Sequence, residues 1–204
     1  MSFPNLPLQL EGMRLKGDRD YLHGTDVLPI ALQALSGGRP LNSIANIDLA
    51  FHGLARTGLT LGENVQPGHE VKAQLSCSID GIRRKLLLME DGRPITQRHP
   101  YPEEQIVAGT TIDVSSATAK NAARLPFTNI ERWIAMTKAL HHVVYPKAKG
   151  KWLFVRAKLA TYQDAYTDPT EHCIRIEADF DGKLTRSTLS VDGRNLGNIF
   201  FALA

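Results

Sequence analysis

Cysteine is scarce in this chain and long apolar runs are absent. Its 204 residues include only Cys77 and Cys173, and neither is part of a CxxC motif. This excludes a disulfide-rich scaffold and a cysteine-based zinc site. No apolar run approaches the ~18–20 residues that a membrane-spanning helix needs. The first residues also lack the basic region and apolar stretch of a signal peptide, so we expect a cytoplasmic protein that does not cross a membrane.

The chain also lacks a strong charge of either sign. It has 24 basic and 21 acidic residues and a net charge of +3. The densest basic run, Arg83-Arg84-Lys85, is too short to form the basic stripe of a nucleic-acid-binding protein, so we expect no nucleic-acid partner. The sequence contains no GxGxxG, P-loop, HExxH or GxSxG motif. We therefore predict neither a bound metal nor a cofactor.

Two helices stand out among segments in which apolar and polar residues alternate, as they do in strands. The first follows Thr25 and Asp26, either of which can cap it, and ends at Gly37-Gly38. It is apolar nearly all round, which predicts burial on most sides. The second begins with the capping-box pattern Thr128/Glu131 and ends before Pro146. His141 and His142 end this helix, where cations favour its dipole, and we assign them no chemistry.

Asp-Gly pairs recur at a fixed interval and indicate an internal duplication. Asp80-Gly81 and Asp91-Gly92 recur 101 residues later as Asp181-Gly182 and Asp192-Gly193. Asp-Gly between alternating segments is a strong hairpin signal. The helices recur at a similar spacing, so we predict two repeats, 1–102 and 103–204, that form one compact double-repeat domain. The polar stretch Thr96–Gln105 is predicted to link them.

Three segments carry a resemblance to a known superfamily. These are "DYLHGTDVLPIALQAL" from Asp20, "NVQPGHEVKAQLSC" from Asn64 and "LLLMEDGRPI" from Leu86. The first segment resembles the His/Gly turn before the central helix of hotdog-fold dehydratases. The second resembles the Pro-Gly turn before a long hotdog strand. The third resembles a strand ending that is common in that fold. The implied fold class is α+β. It would be a double hotdog, with two central helices wrapped by antiparallel strands in one continuous sheet.

The resemblance also implies where chemistry takes place. In hotdog enzymes the active site lies between two units, near the start of the central helix. It takes an acyl-CoA or an acyl carrier protein as substrate. His23 would then be the general base, Asp26 would orient or protonate, and His52, in the apolar strand "LAFHGLA", is a third catalytic candidate. Gly24 and Thr25 at the helix start would bind the thioester.

Three arginines complete the candidate site. Arg83, Arg84 and Arg98 could meet the phosphates of the carrier arm. The dehydratase turn usually carries more glycine and proline after its histidine, and its helix acid has no clear match in this chain. Either a monomeric pseudo-dimer or a homodimer would fit the resemblance.

Three functions remain open from the sequence. The first is an acyl-thioester enzyme, β-hydroxyacyl dehydratase-like or thioesterase-like, with dehydration favoured by the His-Gly turn. The second is a non-catalytic hotdog protein that binds an acyl chain, a small metabolite or a protein partner. The third is a different α+β repeat, of the nuclear-transport-factor type, with a conical pocket under each helix.

Overall fold

The computed structural model describes residues 4–163 and 170–204. The chain forms two compact units. Unit 1 comprises Met1–Tyr101 together with Leu159–Tyr162, and unit 2 comprises Pro102–Lys158 together with Gln163–Ala204. Within the described ranges, no helix is both long and apolar enough to cross a membrane.

Unit 1 contains one long helix and an antiparallel sheet. Its elements are β1 Leu8–Gln9, β2 Leu15–Lys16, α1 Gly24–Ser36, a 3-10 helix Leu41–Ser43, β3 Ile44–Phe51, β4 Thr57–Gly62, β5 Glu70–Ile79, β6 Ile82–Pro94 and β7 Arg98–His99. The sheet has the order β1-β4-β6-β5-β3. Helix α1 is mostly buried, as its composition predicts, and only Gln33 within it is exposed.

The predicted linker differs from expectation. Within the stretch 96–105, β7 pairs in parallel with β2, so that Leu15 lies opposite Arg98 and Lys16 opposite His99. The alternating segment 8–16 contains only the short strands β1 and β2. Both pieces belong to pairings with distant parts of unit 1, which local alternation of residues does not reveal.

The two Asp-Gly pairs of unit 1 have different structures. Asp80-Gly81 forms the predicted two-residue hairpin between β5 and β6, with φ angles of 52° and 76°. Asp91-Gly92 does not end its strand, because β6 continues to Pro94. Gly92 has a φ of 78° inside β6, where the pairing with β4 shifts register between Thr57 and Leu59. The predicted second turn is therefore wrong: this Asp-Gly pair lies at an irregularity in a continuous strand.

Unit 2 also combines a long helix with an antiparallel sheet. Its elements are α2 Glu103–Ala108, β8 Thr111–Asp113, β9 Thr118–Asn121, α3 Asn129–Val144, β10 Trp152–Thr161, β11 His172–Phe180, β12 Leu184–Val191 and β13 Arg194–Leu203. The last residues of β10, Leu159–Thr161, fall in unit 1. The strand order in unit 2 is β10-β13-β12-β11-β9-β8.

Connectivity differs between the two sheets. In unit 2 both Asp181-Gly182 and Asp192-Gly193 are turns, and β11, β12 and β13 form two successive hairpins. In unit 1 β6 lies between β4 and β5, so β4 and β5 are not neighbours. The interval of 101 residues therefore relates two hairpin turns, a two-residue loop at Asp80-Gly81 and a three-residue loop at 181–183. The second Asp-Gly pairs are not structurally equivalent.

Helix α3 begins as the sequence predicts. The Thr128 side chain accepts a hydrogen bond from the Glu131 N–H, and Glu131 accepts one from the Thr128 N–H at 2.9 Å. This capping box satisfies amides that an isolated helix would leave without acceptors. Trp133, Ile134 and Leu140 of the helix are fully buried together with apolar residues of β11 to β13.

His141 is not a surface cation at a helix end, contrary to the sequence prediction. It is fully buried, with Nδ1 2.6 Å from the Thr137 carbonyl oxygen and Nε2 2.6 Å from Thr185 Oγ1. Its ring lies against Trp152, with 4.4 Å between centroids. Burial lowers the pKa of His141 from 6.5 to about 4. The side chain is thus a neutral bridge inside the core, and only His142 is exposed.

Acid should destabilise the protein through His141. A histidine whose pKa is about 4 when folded and 6.5 when unfolded takes up its proton preferentially in the unfolded state between those values. The free energy of unfolding should therefore fall as pH drops from 6.5 towards about 4. Urea unfolding across this range should show a shallower pH slope for His141→Gln than for wild type. An equal slope in both proteins would contradict the buried neutral histidine.

A second acid-sensitive contact fixes the start of β4. Glu90 Oε1 accepts hydrogen bonds from the backbone N–H groups of Arg56 and, at 2.8 Å, Thr57, and Oε2 lies 3.1 Å from Lys72 Nζ. Burial alone would raise the pKa of Glu90, but these hydrogen bonds and the charge of Lys72 outweigh it and lower the pKa below its ordinary 4.5.

Glu90→Gln should destabilise the protein by about 1–3 kcal/mol at neutral pH, because backbone donors lose a charged acceptor. Because the folded pKa is depressed, the contribution of Glu90 is complete above pH 4.5 and is lost as pH falls through the lower folded value. The difference between wild type and variant, measured by urea unfolding, should narrow below pH 4.5. A constant difference at all pH values would exclude this role.

Candidate functional site

A polar cluster surrounds the N-terminus of α1 in unit 1. His23 is the N-cap residue and is 7% exposed, and Thr25 in the first turn is 1% exposed. His23 Nδ1 lies 2.7 Å from Thr25 Oγ1. The sequence-predicted residues His23, Gly24, Thr25 and Asp26 are thus grouped by the start of one helix.

Lys16 completes this cluster. Its side chain has no solvent exposure, and Nζ donates to Thr25 Oγ1 at 2.7 Å and lies 2.8 Å from Asp26 Oδ1. Nζ also lies 4.6 Å from the centroid of the Tyr101 ring. A buried ammonium is costly unless it is paired, and Asp26 supplies the opposite charge. Asp26 is therefore held as a carboxylate by an ion pair.

The hydrogen bonds around Thr25 favour one tautomer of His23. An ammonium can only donate, so Thr25 Oγ1 accepts from Lys16. The Thr25 hydroxyl is buried, and among the described residues its hydrogen has one acceptor, Nδ1 of His23. With Nδ1 accepting, a neutral His23 ring carries its proton on Nε2.

Two backbone amides at the helix start have no acceptor in the described part of the chain. The N–H groups of Asp26 and Val27 donate to the His23 carbonyl oxygen at 2.9 and 3.1 Å. Those of Gly24 and Thr25 form no hydrogen bond to any described residue. Free amides at a helix N-terminus, together with the positive end of its dipole, favour an oxygen that carries negative charge.

Strand β7, which lies about 80 residues after β2 in the sequence, helps to position this cluster. The parallel pair β2–β7 holds Lys16 opposite His99, two residues before Tyr101. The Tyr101 ring lies 5.7 Å from the His23 ring, between centroids, and also faces the Arg19 guanidinium at 5.5 Å. Arg98 Nη1 donates to the carbonyl oxygens of Gly17 and, at 2.9 Å, Arg19. Arg98, predicted to bind phosphate, therefore forms hydrogen bonds within the protein that hold the backbone after β2 in place.

The remaining predicted site residues lie elsewhere in unit 1. His52 is exposed in a bend after β3, so it does not lie within a strand as predicted. Its backbone N–H donates to the Lys72 carbonyl oxygen at 2.7 Å. Arg83 is exposed at the start of β6, and Arg84 Nη1 lies 3.5 Å from Glu63 Oε1. These positions belong to strands and turns other than the start of α1.

Lys16 and Tyr101 carry no signal in the sequence that marks them as site residues. Lys16 ends an alternating segment, where a lysine normally faces solvent, and Tyr101 stands between two prolines. Their proximity to His23 depends on the β2–β7 pairing. No group of three His, Cys, Asp or Glu side chains in residues 4–163 and 170–204 is placed to hold a metal ion.

The buried ion pair gives a direct test of this cluster. Lys16→Met should destabilise the protein by roughly 3–5 kcal/mol, because it leaves the Asp26 carboxylate without its cation. The double variant Lys16→Met/Asp26→Asn should recover much of that loss, since no charge is left unpaired. Urea unfolding of wild type, both single variants and the double variant measures the coupling energy. Additive effects of the two substitutions would contradict an ion pair.

Comparison with known proteins addresses the fold. No family model matches the sequence, and no curated protein matches it significantly. A solved tesB protein of Mycobacterium avium subsp. paratuberculosis superposes with a TM-score of 0.52 at 12% identity, covering 95% of this chain and 91% of that chain. A hot dog fold protein of unknown function from Alicyclobacillus acidocaldarius gives a TM-score of 0.49 at 11% identity over 91% and 88% of the chains.

Dehydratase domains occur among the similar structures too. That of PpsC from Mycobacterium tuberculosis, solved in complex with C12:1-CoA, has a TM-score of 0.48 at 13% identity and covers 90% and 85% of the chains. At such identities the likeness concerns the fold and not the activity. The predicted α+β class and hotdog resemblance are confirmed.

Proposed function

We propose that this protein hydrolyses acyl thioesters, with the thioester carbonyl oxygen bound at the N-terminus of α1. The donors would be the N–H groups of Gly24 and Thr25 and the Nε2–H of His23. The observation that carries this proposal is the pair of amides without acceptors among the described residues, beside the buried His23 ring. Donors arranged in advance stabilise the negative charge that develops on a carbonyl oxygen under attack.

The thioester class is supported by the hotdog fold. The acyl group would be carried on CoA or on an acyl carrier protein, as the resemblance of the chain to hotdog enzymes implies. The reaction adds water across the acyl carbon–sulfur bond, which breaks to give a carboxylic acid and the free thiol of the carrier. The Lys16–Asp26 pair would orient Thr25 and His23 rather than contact the substrate.

His23 acts in this proposal as a hydrogen-bond donor and not as the general base expected from the sequence. A ring with Nδ1 accepting from Thr25 and a proton on Nε2 has no free lone pair for a substrate proton. Dehydration needs a base for the proton next to the carbonyl, whereas polarising the carbonyl directly assists attack by water. The geometry therefore favours hydrolysis over dehydration.

Binding without turnover is the second candidate function. It is favoured by one observation: Asp26, the carboxylate in the first turn of α1, is held by Lys16 at 2.8 Å. A site that polarises a carbonyl but activates no water would retain an acyl thioester without cleaving it. The ligand would still be bound at Gly24 and Thr25.

The experiment is a mass-resolved assay with a panel of acyl-CoAs that includes 3-hydroxyacyl and enoyl forms. Wild type should release free CoA. His23→Ala should lower kcat by about 10²–10³-fold, as the loss of one oxyanion donor does. His23→Gln, which retains an N–H donor but cannot act as a base, should retain much more activity than His23→Ala. His142→Ala, at an exposed position of α3, is the matched control and should be unchanged.

Other outcomes identify the alternatives. Loss or gain of water without release of CoA would assign a dehydratase. An acyl-CoA that raises the melting temperature but is not consumed would assign a binding protein. If His23→Gln is as inactive as His23→Ala while wild type turns over, His23 is a base and the donor role is wrong.

A further inference from the structure

Unit 2 contains a buried arginine for which no residue in the described part of the chain supplies a counter-ion. Arg132, in the first turns of α3, is 7% exposed. Its Nη2 donates to the Ala123 carbonyl oxygen at 2.9 Å and to Asn121 Oδ1 at 3.2 Å, with the Asn121 carbonyl oxygen at 3.4 Å. All of these acceptors are neutral. The guanidinium therefore positions the chain between β9 and α3 but keeps its full charge.

Most of the donors on this guanidinium have no acceptor in the described residues. A guanidinium has five N–H donors, of which Nη2 supplies two. The Nε–H is buried and has no partner within residues 4–163 and 170–204. Nη1 forms no hydrogen bond there either, and unlike Nε it is not completely buried. Buried donors without acceptors are rare in folded proteins and call for a ligand or a functional role.

The charge of Arg132 is also not balanced by any described side chain. No carboxylate in the described part of unit 2 forms an ion pair with it, and Glu103, on the neighbouring helix α2, is paired with Lys138 at 2.8 Å. His172 is neutral, because burial and, next, the charge of Arg132 lower its pKa to about 4. A charge removed from water without a partner is strongly unfavourable.

From this geometry we infer that Arg132 is an anion-binding residue, and that its ligand is a small carboxylate that contacts Nη1. A carboxylate oxygen supplies both the acceptor and the opposite charge that the described residues do not provide. The inference concerns unit 2 alone and does not depend on the thioester proposal for unit 1. Its ligand class is a free carboxylate or a carboxylate group on a larger molecule.

The test measures carboxylate binding by the whole chain. Sodium acetate should raise the unfolding midpoint of wild type, with a gain that increases with the logarithm of acetate concentration. Acetamide, a neutral molecule of the same shape, should have no effect, and sodium chloride at equal ionic strength should have a smaller one. Arg132→Gln should abolish the acetate effect. Arg124→Gln, which removes the same charge from an exposed position of unit 2, should retain it.

A second measurement covers the case in which Arg132→Gln does not fold. The Nε–H resonance of Arg132 in a ¹H–¹⁵N spectrum, assigned by its absence in Arg132→Lys, should shift on titration with acetate and not with acetamide. An acetate effect that is equal in Arg124→Gln and Arg132→Gln would overturn the inference. So would a chloride effect as large as that of acetate, or an Nε–H resonance that acetate leaves unmoved.

Discussion

A single buried ammonium determines the arrangement at the start of α1. Lys16 has no contact with solvent, so its charge and its hydrogens have to be satisfied inside the protein. Asp26 balances the charge, and Thr25 accepts a hydrogen bond. With Thr25 oriented in this way, its own hydrogen points to His23 and determines which ring nitrogen carries the proton. The chemistry available to His23 thus follows from a residue seven positions earlier in the chain.

Rules of local structure predicted where α1 begins, because residues that can cap a helix precede an apolar stretch. His23, Gly24, Thr25 and Asp26 became candidates through the resemblance of this segment to hotdog-fold dehydratases. The role of His23 could not be predicted in the same way. It depends on Lys16 and on the orientation of Tyr101, and those contacts exist only because β2 pairs with β7, about 80 residues further along the chain.

Turn chemistry predicted three of the four Asp-Gly pairs correctly. Asp80, Asp181 and Asp192 all adopt positive φ in hairpin turns, as the dipeptide favours. Asp91-Gly92 has the same local chemistry but lies within β6, because β4 pairs with that strand on both sides of the irregularity. The positive φ of Gly92 is compatible with either structure, so only the neighbouring strand distinguishes a bulge from a turn. His141 shows the same limit, since its burial depends on the distant residues Trp152 and Thr185.

The parallel pairing of β2 with β7 has a consequence for the order of folding. Leu15 and Lys16 bond to residues that follow β1 to β6 in the chain. Contacts between residues so distant in sequence carry a large loop-closure cost, and they form after local hairpins such as β5–β6. The lysine at the centre of the site therefore stays exposed to water through most of the assembly of unit 1. Its burial marks the step at which the polar cluster at the start of α1 is complete.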